Sequence, residues 1–370
     1  MSDTQYPIRV AQVIGKMCAG GVEAVVFNYY RAIDKSKIQF DFFYDEDSTI
    51  EPPQDLIDMG ANFYKIPPYQ KIWKYIPRLL REFKQRKYKI VHSHINSLSV
   101  FPLFSAFLAR VPIRIAHNHS VPGTGELRRN ALKYTLRIFA KIFPTDYFAC
   151  SEKAGRWLFG NHCYDNEKVY ILRNAVDFTK FNNLDEAEAN ELLNQHDIDG
   201  KFVVGHVGRF TYAKNHKFLI NVFKCLKEKV PNAVLLLVGD GELQDLIVAD
   251  VERAGLQDSV IYTGKTDKAE KYYSLMDVII LPSIFEGLSM VTIEAQISKV
   301  PIVVSTAVPK EAVISRKGLA YMDLQNSYCE WANTALELAK YDLELTEKSE
   351  EYNVLSSVKI LENWYLLKVV

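Results

Sequence analysis

The sequence predicts an α/β protein built from two doubly wound domains, and three observations carry that expectation. Short apolar runs alternate with longer helical patterns along the whole chain. The apolar runs are near-continuous, as strands buried on both faces of a parallel sheet read. At 370 residues, the chain is also too long for one ordinary core.

Taken in order, the first-half strands are expected at "IRVAQVI" (8–14), "FDFFY" (40–44), "KIVHSH" (89–94), "IRIAHNH" (113–119), "DYFACS" (146–151) and "VYILRN" (169–174). The second half offers "FVVGHVG" (202–208), "AVLLLVG" (233–239), "VIYTG" (260–264), "DVIILPS" (277–283) and "PIVVS" (301–305). Helical stretches such as "NHKFLINVFKCLKEKV" and "ELQDLIVADVERAG" separate them. Turn residues and charge gather around 177–190, where the domain boundary is placed. Ligands of such sheets bind beyond the carboxyl ends of the strands, so two tandem domains are expected to face a shared central cleft.

The composition is globular, with 48% hydrophobic and 24% charged residues. Net charge is zero, yet residues 1–173 carry 25 Lys+Arg against 16 Asp+Glu, and the remainder carries the mirror excess of acid. The first half is therefore expected to meet something anionic. Five scattered cysteines without a CxxC pair fit a reducing cytosol and argue against a disulfide framework or zinc ribbon. The opening residues lack a signal-peptide pattern, and no run of eighteen apolar residues exists to span a bilayer.

Chemistry-bearing residues follow the strands. In "FEGLSMVTIEAQ" (285–296), Gly287 lets the chain turn, Ser289 is a candidate N-cap, and Met290, Ile293 and Ile297 have helical spacing. Glu286 and Glu294 are then separated by roughly 12 Å or less. That span suits two ends of one extended ligand, and is too wide for the carboxylate pair of a glycoside hydrolase. The bland alternative is one exposed loop acid and one on a helix face. In "GHVGRFTYAKNH" (205–216), Arg209 and Lys214 make a candidate diphosphate clamp, set against two solvated surface cations. Gly20 and Gly21 in "GKMCAGGVEAVV" leave backbone N–H groups bare at a helix start, suited to phosphate or merely to a tight turn.

"VHSH" (91–94) and "AHNHS" (116–120) place His92, His94, His117 and His119 at two strand ends. A zinc site, a general base, a sugar hydrogen-bond partner and simple packing for His92 and His117 all fit that pattern, with zinc disfavoured for want of a nearby acid. The acidic triplets at 45–47 and 197–199 read as solvated loops rather than metal ligands. Residues 71–89 carry eight Lys/Arg and one Glu interleaved with Trp73, Tyr75 and Phe83. Residues 127–143 hold Arg128, Arg129, Lys133, Arg137 and Lys141 among leucines and phenylalanines. Both patterns suit an anionic membrane surface or ordinary packing on the chain's own sheet. No nucleic-acid module appears.

Together these motifs resemble the retaining glycosyltransferases of family 4, which have the GT-B fold. Glu286 and Glu294 stand in the family's E-x7-E pattern. "GGVE", "ILRNAVDFTKF", "LLLVGDGEL", "YTGKTDKAEKYYSLMDVIILPS" and "STAVPKE" follow in family order over nearly the whole chain. The forms "EAQ" and "VPKE" look most like members that build bacterial capsules or exopolysaccharides.

The resemblance implies an acceptor-side domain at 1–180, a donor domain at 181–345 and a final helix at 346–370 crossing back to the first domain, with Trp364 and Tyr365 packed there. It implies a nucleotide diphosphate sugar as donor, with UDP-sugar expected, and no cofactor or metal. Arg209 and Lys214 would neutralise the leaving diphosphate, Glu286 would contact the sugar and Glu294 the ribose. Gly287 and Leu288 would present N–H groups, Gly208, Gly264 and Lys265 would line the nucleotide, and Gly20 and Gly21 would approach the phosphates. His119, or His117 in the other register, would hydrogen-bond the sugar, with His94 and Asn118 on the acceptor side. The implied acceptor is a glycan or lipid-diphosphate-linked saccharide, met in the cytoplasm at the inner membrane face. The alternatives are a nucleotide-sugar epimerase of the same fold and a non-catalytic nucleotide-sugar-binding protein. Two departures stand out: Ser289 where the family often has Pro, and Lys299 where it usually has Gly. The second is expected to strain a helix C-terminus or shift its cap.

Overall fold

The computed structural model describes residues 7–18, 20–122, 127–182, 186–266 and 268–369, without the side chains of 127–130, 182 and 186. The chain forms two compact units, Met1–Val176 with Glu350–Val370, and Asp177–Ser349. The expected divisions after 180 and 345 lie four residues further along and four residues earlier, respectively.

The first unit holds a seven-stranded parallel sheet of β1 (Ile8–Gly15), β2 (Ile38–Asp45), β3 (Asn62–Ile66), β4 (Ile90–Ser93), β5 (Ile113–Asn118), β6 (Asp146–Ala149) and β7 (Val169–Ile171), ordered β3-β2-β1-β4-β5-β6-β7. Val10 and Ile14 of β1 enter one apolar cluster, while Ala11 and Val13 enter the other, as strand alternation requires. The helix Ile72–Arg86 buries Tyr75, Leu79 and Phe83 at helical spacing in the second cluster. The C-terminal helix Val354–Val369 belongs to this unit and buries Trp364 and Tyr365 in the first cluster.

The second unit holds a six-stranded parallel sheet of β8 (Phe202–Val207), β9 (Ala233–Val238), β10 (Val260–Gly264), β11 (Val278–Leu281), β12 (Ile302–Ser305) and β13 (Leu319–Met322), ordered β10-β9-β8-β11-β12-β13. The strand numbering runs outward in opposite senses from the β1–β4 pair in one sheet and from the β8–β11 pair in the other, with every strand parallel. These are the switch points where a doubly wound sheet opens a crevice at its carboxyl ends. The loops after β1, β4, β8 and β11 carry the GG turn, His94, Lys214 and Glu286.

Two features depart from the sequence reading. Strands β3 and β13 are absent from it; both are sheet edges with largely half-exposed residues, so they lack a continuous apolar run. Cys225 and Cys329 form a disulfide, with Cα atoms 5.3 Å apart, where the cysteine spacing argues against a disulfide framework and fits a reducing compartment. The helices His216–Lys229 and Tyr328–Leu338, which carry them, pack together, a proximity that a sequence separation of 104 residues conceals.

Candidate active site

In the second unit, Lys214 and Glu286 meet. Lys214 closes the 3-10 turn Tyr212–Lys214 after β8, and Asn215 takes a left-handed conformation (φ 56°) before the helix His216–Lys229 begins. Glu286 lies in the loop after β11. The Ile284 N–H donates to the Ala213 carbonyl at 2.8 Å, tying the two loops beside both residues. Lys214 Nζ then donates to Glu286 Oε1 at 2.6 Å, and the buried Ser283 hydroxyl donates to the same oxygen at 2.7 Å. Those bonds leave Oε2 as the carboxylate edge not used by this pair. A Cβ on Gly208 would meet Lys214 Cε at 3.1 Å, and one on Gly239 would fall 2.1 Å from the Gly208 carbonyl oxygen. Glycine at both positions lets the two loops stack backbone to backbone beneath the lysine.

Arg209 does not join this pair. Its exposed side chain faces Glu242 at 3.4 Å, so the expected clamp has one arm in the site and one in solvent.

The helix Met290–Ile297 starts at Ser289, as its spacing predicts, but Ser289 does not cap in the usual way. It is left-handed (φ 53°), and its hydroxyl lies 2.8 Å from the Thr292 hydroxyl instead of accepting a backbone N–H. The helix start, with its positive end of the macrodipole, therefore keeps the capacity to meet an anion. Glu294 on this helix accepts the Tyr273 hydroxyl at Oε2, 2.7 Å away. Burial pushes its carboxyl above the usual carboxylate range, with the Tyr273 bond pulling the other way. Gly264 ends β10 with φ 71° and its carbonyl accepts the Gly239 N–H, while Lys265 beside it is exposed.

In the first unit, the GG turn is not bare. Glu23 Oε1 accepts the Cys18 N–H at 2.8 Å and the Gly20 N–H at 3.2 Å. A glutamate at the third helical position reaches back to its own helix start, so the chain fills part of the anion site that Gly20 and Gly21 were expected to offer.

The four histidines of the two strand ends lie on one face of the sheet, all buried. His92 Nε2 lies 3.1 Å from His117 Nδ1, and His94 Nδ1 lies 3.0 Å from His119 Nε2. His92 Nδ1 is 2.6 Å from the Tyr365 hydroxyl, His94 Nε2 is 2.8 Å from Gln12 Oε1, and His119 Nδ1 is 2.9 Å from Asn174 Oδ1. Gln12 Nε2 donates to Tyr365 at 3.1 Å. Both ring nitrogens of His119 are thus engaged by protein groups, whereas among the described residues His117 Nε2 is buried with no well-formed hydrogen bond, the Leu172 backbone lying beside the His117 ring. Burial holds all four imidazoles below their ordinary range, His119 at about 4. Ligand atoms of His92, His94 and His117 lie within 4.8 Å of one another, the spacing of a candidate metal cluster. Asn118 is not part of this group: strand alternation turns it to the other face, where its amide donates to the Ala154 carbonyl at 2.7 Å.

Sequence reasoning missed Ser283, Tyr273, Gln12, Asn174 and Tyr365 as site residues. Ser283 and Tyr273 stand inside quoted motifs, but their partners are three and twenty-one residues away and only the fold shows the contacts. The Gln12 signal is a lone amide inside an apolar strand, a residue that must find partners when buried.

Comparison with known proteins is consistent with this geometry. Residues 19–180 match the family description Glycosyltransferase Family 4, and residues 188–355 match Glycosyl transferases group 1. The chain is 29% identical to the Bacillus subtilis protein EpsF, named as a glycosyltransferase, over 90% of this chain and 88% of that protein. It is 24% identical to the Escherichia coli UDP-Gal:α-D-GlcNAc-diphosphoundecaprenol α-1,3-galactosyltransferase, over 82% and 81%. Among solved structures, a Rickettsia africae glycosyltransferase superposes with a TM-score of 0.75 at 16% identity, covering 99% of both chains. Anabaena HepE in complex with UDP-glucose gives 0.72 at 17% identity, covering 96% of this chain and 95% of that one. These likenesses fix the fold as GT-B, two Rossmann-like parallel-sheet domains.

Proposed function

The chain belongs to the family 4 glycosyltransferases, with a group 1 transferase domain in its second half, and from that premise we propose that it transfers a sugar with retention from a nucleotide diphosphate sugar to a saccharide acceptor of surface polysaccharide synthesis. The observation that carries this reading is the Lys214–Glu286–Ser283 cluster beside the helix start at Ser289. Lys214 neutralises charge as it develops on the departing diphosphate, a stabilisation confined to the transition state. Arg209 swings from Glu242 to assist it, and the Gly287 and Leu288 N–H groups add to the same anion site. Glu286 accepts sugar hydroxyls at Oε2, and Glu294 accepts those of the ribose. The new bond forms on the face the diphosphate leaves, with a departing oxygen taking the acceptor proton. Lysine and arginine serve here as the diphosphate's counter-charges, and no metal is invoked.

UDP-sugar is the proposed donor. The structural neighbour HepE was solved with UDP-glucose, and the E. coli relative is named for UDP-Gal. The proposed acceptor is a lipid-diphosphate-linked saccharide, because that relative is named for GlcNAc-diphosphoundecaprenol. Such an acceptor lies at a membrane, and the first unit offers a matching surface. Trp73 on Ile72–Arg86 is 68% exposed, and Ile138 on the helix Leu127–Phe139 is 72% exposed, both among lysines and arginines. Arg128 and Arg129 lie outside the described side chains. Among the described residues no helix is long and apolar enough to cross a membrane. We place the protein in the cytoplasm, at the inner membrane face, on 71–89 and 127–143.

The test is thermal-shift binding with UDP-, GDP-, ADP- and dTDP-sugars, followed by transfer to a GlcNAc-diphospholipid with and without EDTA. Stabilisation by UDP-sugar alone is the expected result, largely kept in Lys214→Ala while transfer by that variant falls at least about a hundredfold. Stabilisation by another nucleotide class reassigns the donor. Epimerised sugar formed without acceptor overturns the transferase reading.

A further inference from the structure

The buried polar side chains of the first unit form one unbroken chain, running Asn174–His119–His94–Gln12–Tyr365–His92–His117. All seven are buried, and the small cavity that most of them line, about 10 Å³ of accessible space, has room for about one water. Burial keeps each imidazole neutral at neutral pH.

A neutral imidazole has one N–H and one lone pair, so donating at one nitrogen obliges accepting at the other. Gln12 sits mid-chain and offers an oxygen to one side and an NH2 to the other. With its oxygen toward His94, His94 donates from Nε2 and accepts at Nδ1, so His119 donates from Nε2 and accepts at Nδ1, which requires the Asn174 amide to turn its NH2, in place of Oδ1, toward that nitrogen. On the other side the Gln12 NH2 donates to Tyr365, Tyr365 donates to His92 Nδ1, and His92 donates from Nε2 to His117 Nδ1. His117 is left with an Nε2–H, and all four rings carry the proton on Nε2. Turning the Gln12 amide over reverses every bond and puts all four protons on Nδ1. His119 then donates to Asn174, and His117 Nε2 becomes an acceptor. The amide orientations of Gln12 and Asn174 are set by such networks.

We propose that Gln12 is a positioning residue whose amide orientation locks all four histidines into one shared tautomer, and thereby decides whether His119 Nδ1 donates to a sugar hydroxyl or accepts from it. The inference rests on the proposed transfer reaction only for that last consequence; the shared tautomer is a property of the free protein. His119 meets substrate by exchanging Asn174, so its proton must already be on the right nitrogen when the sugar arrives. A lock through His94 keeps it there without a charged partner, as a preorganised group requires.

The experiment is 15N-histidine NMR of the free protein, reading tautomers from long-range nitrogen–proton couplings, in the parent and in Tyr365→Phe and Gln12→Met. Four buried rings sharing one tautomer are expected in the parent. In Tyr365→Phe, His94 and His119 keep that tautomer while His92 and His117 become mixed. In Gln12→Met, His119 also becomes mixed, and kcat with a UDP-sugar falls about tenfold while the donor KM stays within about twofold. Mixed or opposed tautomers in the parent overturn the proposal, even if neither variant folds. So does one equivalent of zinc in the purified protein by elemental analysis, since three of these rings would then share a metal. A locked tautomer in a parent that transfers no sugar leaves the lock standing and refutes the transferase reading alone.

Discussion

Lys214 and Glu286, seventy-two residues apart in sequence, share a 2.6 Å bond in the second unit, and Ser283 adds a second donor to the same carboxylate oxygen. The lysine head is thereby held by one acid, and two of the three donors of its ammonium are not used by that bond. A diphosphate oxygen entering the site takes up that capacity without first breaking the pair.

Lys214→Ala is accordingly expected to cut kcat by about 10²–10³-fold, the usual loss of one donor aimed at developing charge. Donor affinity should fall less than tenfold, because the ground-state diphosphate keeps its helix-start contacts. Steady-state kinetics beside calorimetric titration with UDP-sugar separates the two. Equal losses in kcat/KM and in affinity, with kcat unchanged, would mean that Lys214 binds donor and transition state alike.

Tyr273 offers a second, milder test. Its hydroxyl holds Glu294 Oε2 at 2.7 Å and leaves Oε1 for a ribose. Tyr273→Phe removes one hydrogen bond, about 1 kcal/mol, and is expected to weaken UDP binding about five-fold with kcat within twofold. The same loss toward a 2′,3′-dideoxy nucleotide would detach Glu294 from the ribose.

How far the sequence alone reaches is visible in these same residues. Buried strands such as "AVLLLV" announce themselves because both faces are apolar, whereas the edges "NFYKI" and "LAYM" do not. The sequence marks Glu286 as a sugar ligand and Lys214 as a diphosphate ligand but cannot show that they touch each other, since their contact depends on β8 and β11 being neighbours. Gly20 and Gly21 look like an open anion site until Glu23 folds back over Gly20. The sequence pairs the histidines along each strand, but their bonds run between strands, from β4 to β5, and register is a property of pairing rather than of spacing.

Lys299 tests the backbone at the end of the Met290–Ile297 helix. It is left-handed, with φ 59°, in a Schellman turn: its N–H donates to Gln296 and that of Val300 to Ala295. An L-residue there costs about 1–2 kcal/mol relative to its preferred conformation, offset in part by the greater chain entropy that glycine loses on folding. Lys299→Gly should therefore stabilise the second unit by about 0.5–1 kcal/mol, read as a raised denaturant midpoint at unchanged slope. A lowered midpoint would show that the lysine side chain contributes more than the strain it causes.

Acid stability provides the remaining test. Burial holds His92, His94 and His117 well below their ordinary range, His119 and His206 at about 4, and His216 at about 2. Each folded value lies below that of the unfolded chain, near 6.5. The unfolded chain thus binds more protons as pH falls, so this contribution is complete above about pH 6.5 and is lost below it. Between pH 6.5 and 5.5 each such imidazole removes about 1 kcal/mol. Buried carboxyls act the other way: Asp45, raised to about 7, and Glu294 and Asp277, also raised, take up protons in the folded state and gain stability as pH falls toward their unfolded values. These imidazoles outnumber the carboxyls, so the net change over this interval is a loss of stability. Thermal melts at constant ionic strength should show the first transition dropping steadily from pH 7 to 5.5. A midpoint that holds or rises would mean that these rings are protonated in the folded protein, and the neutral histidine chain of the first unit would have to be abandoned with them.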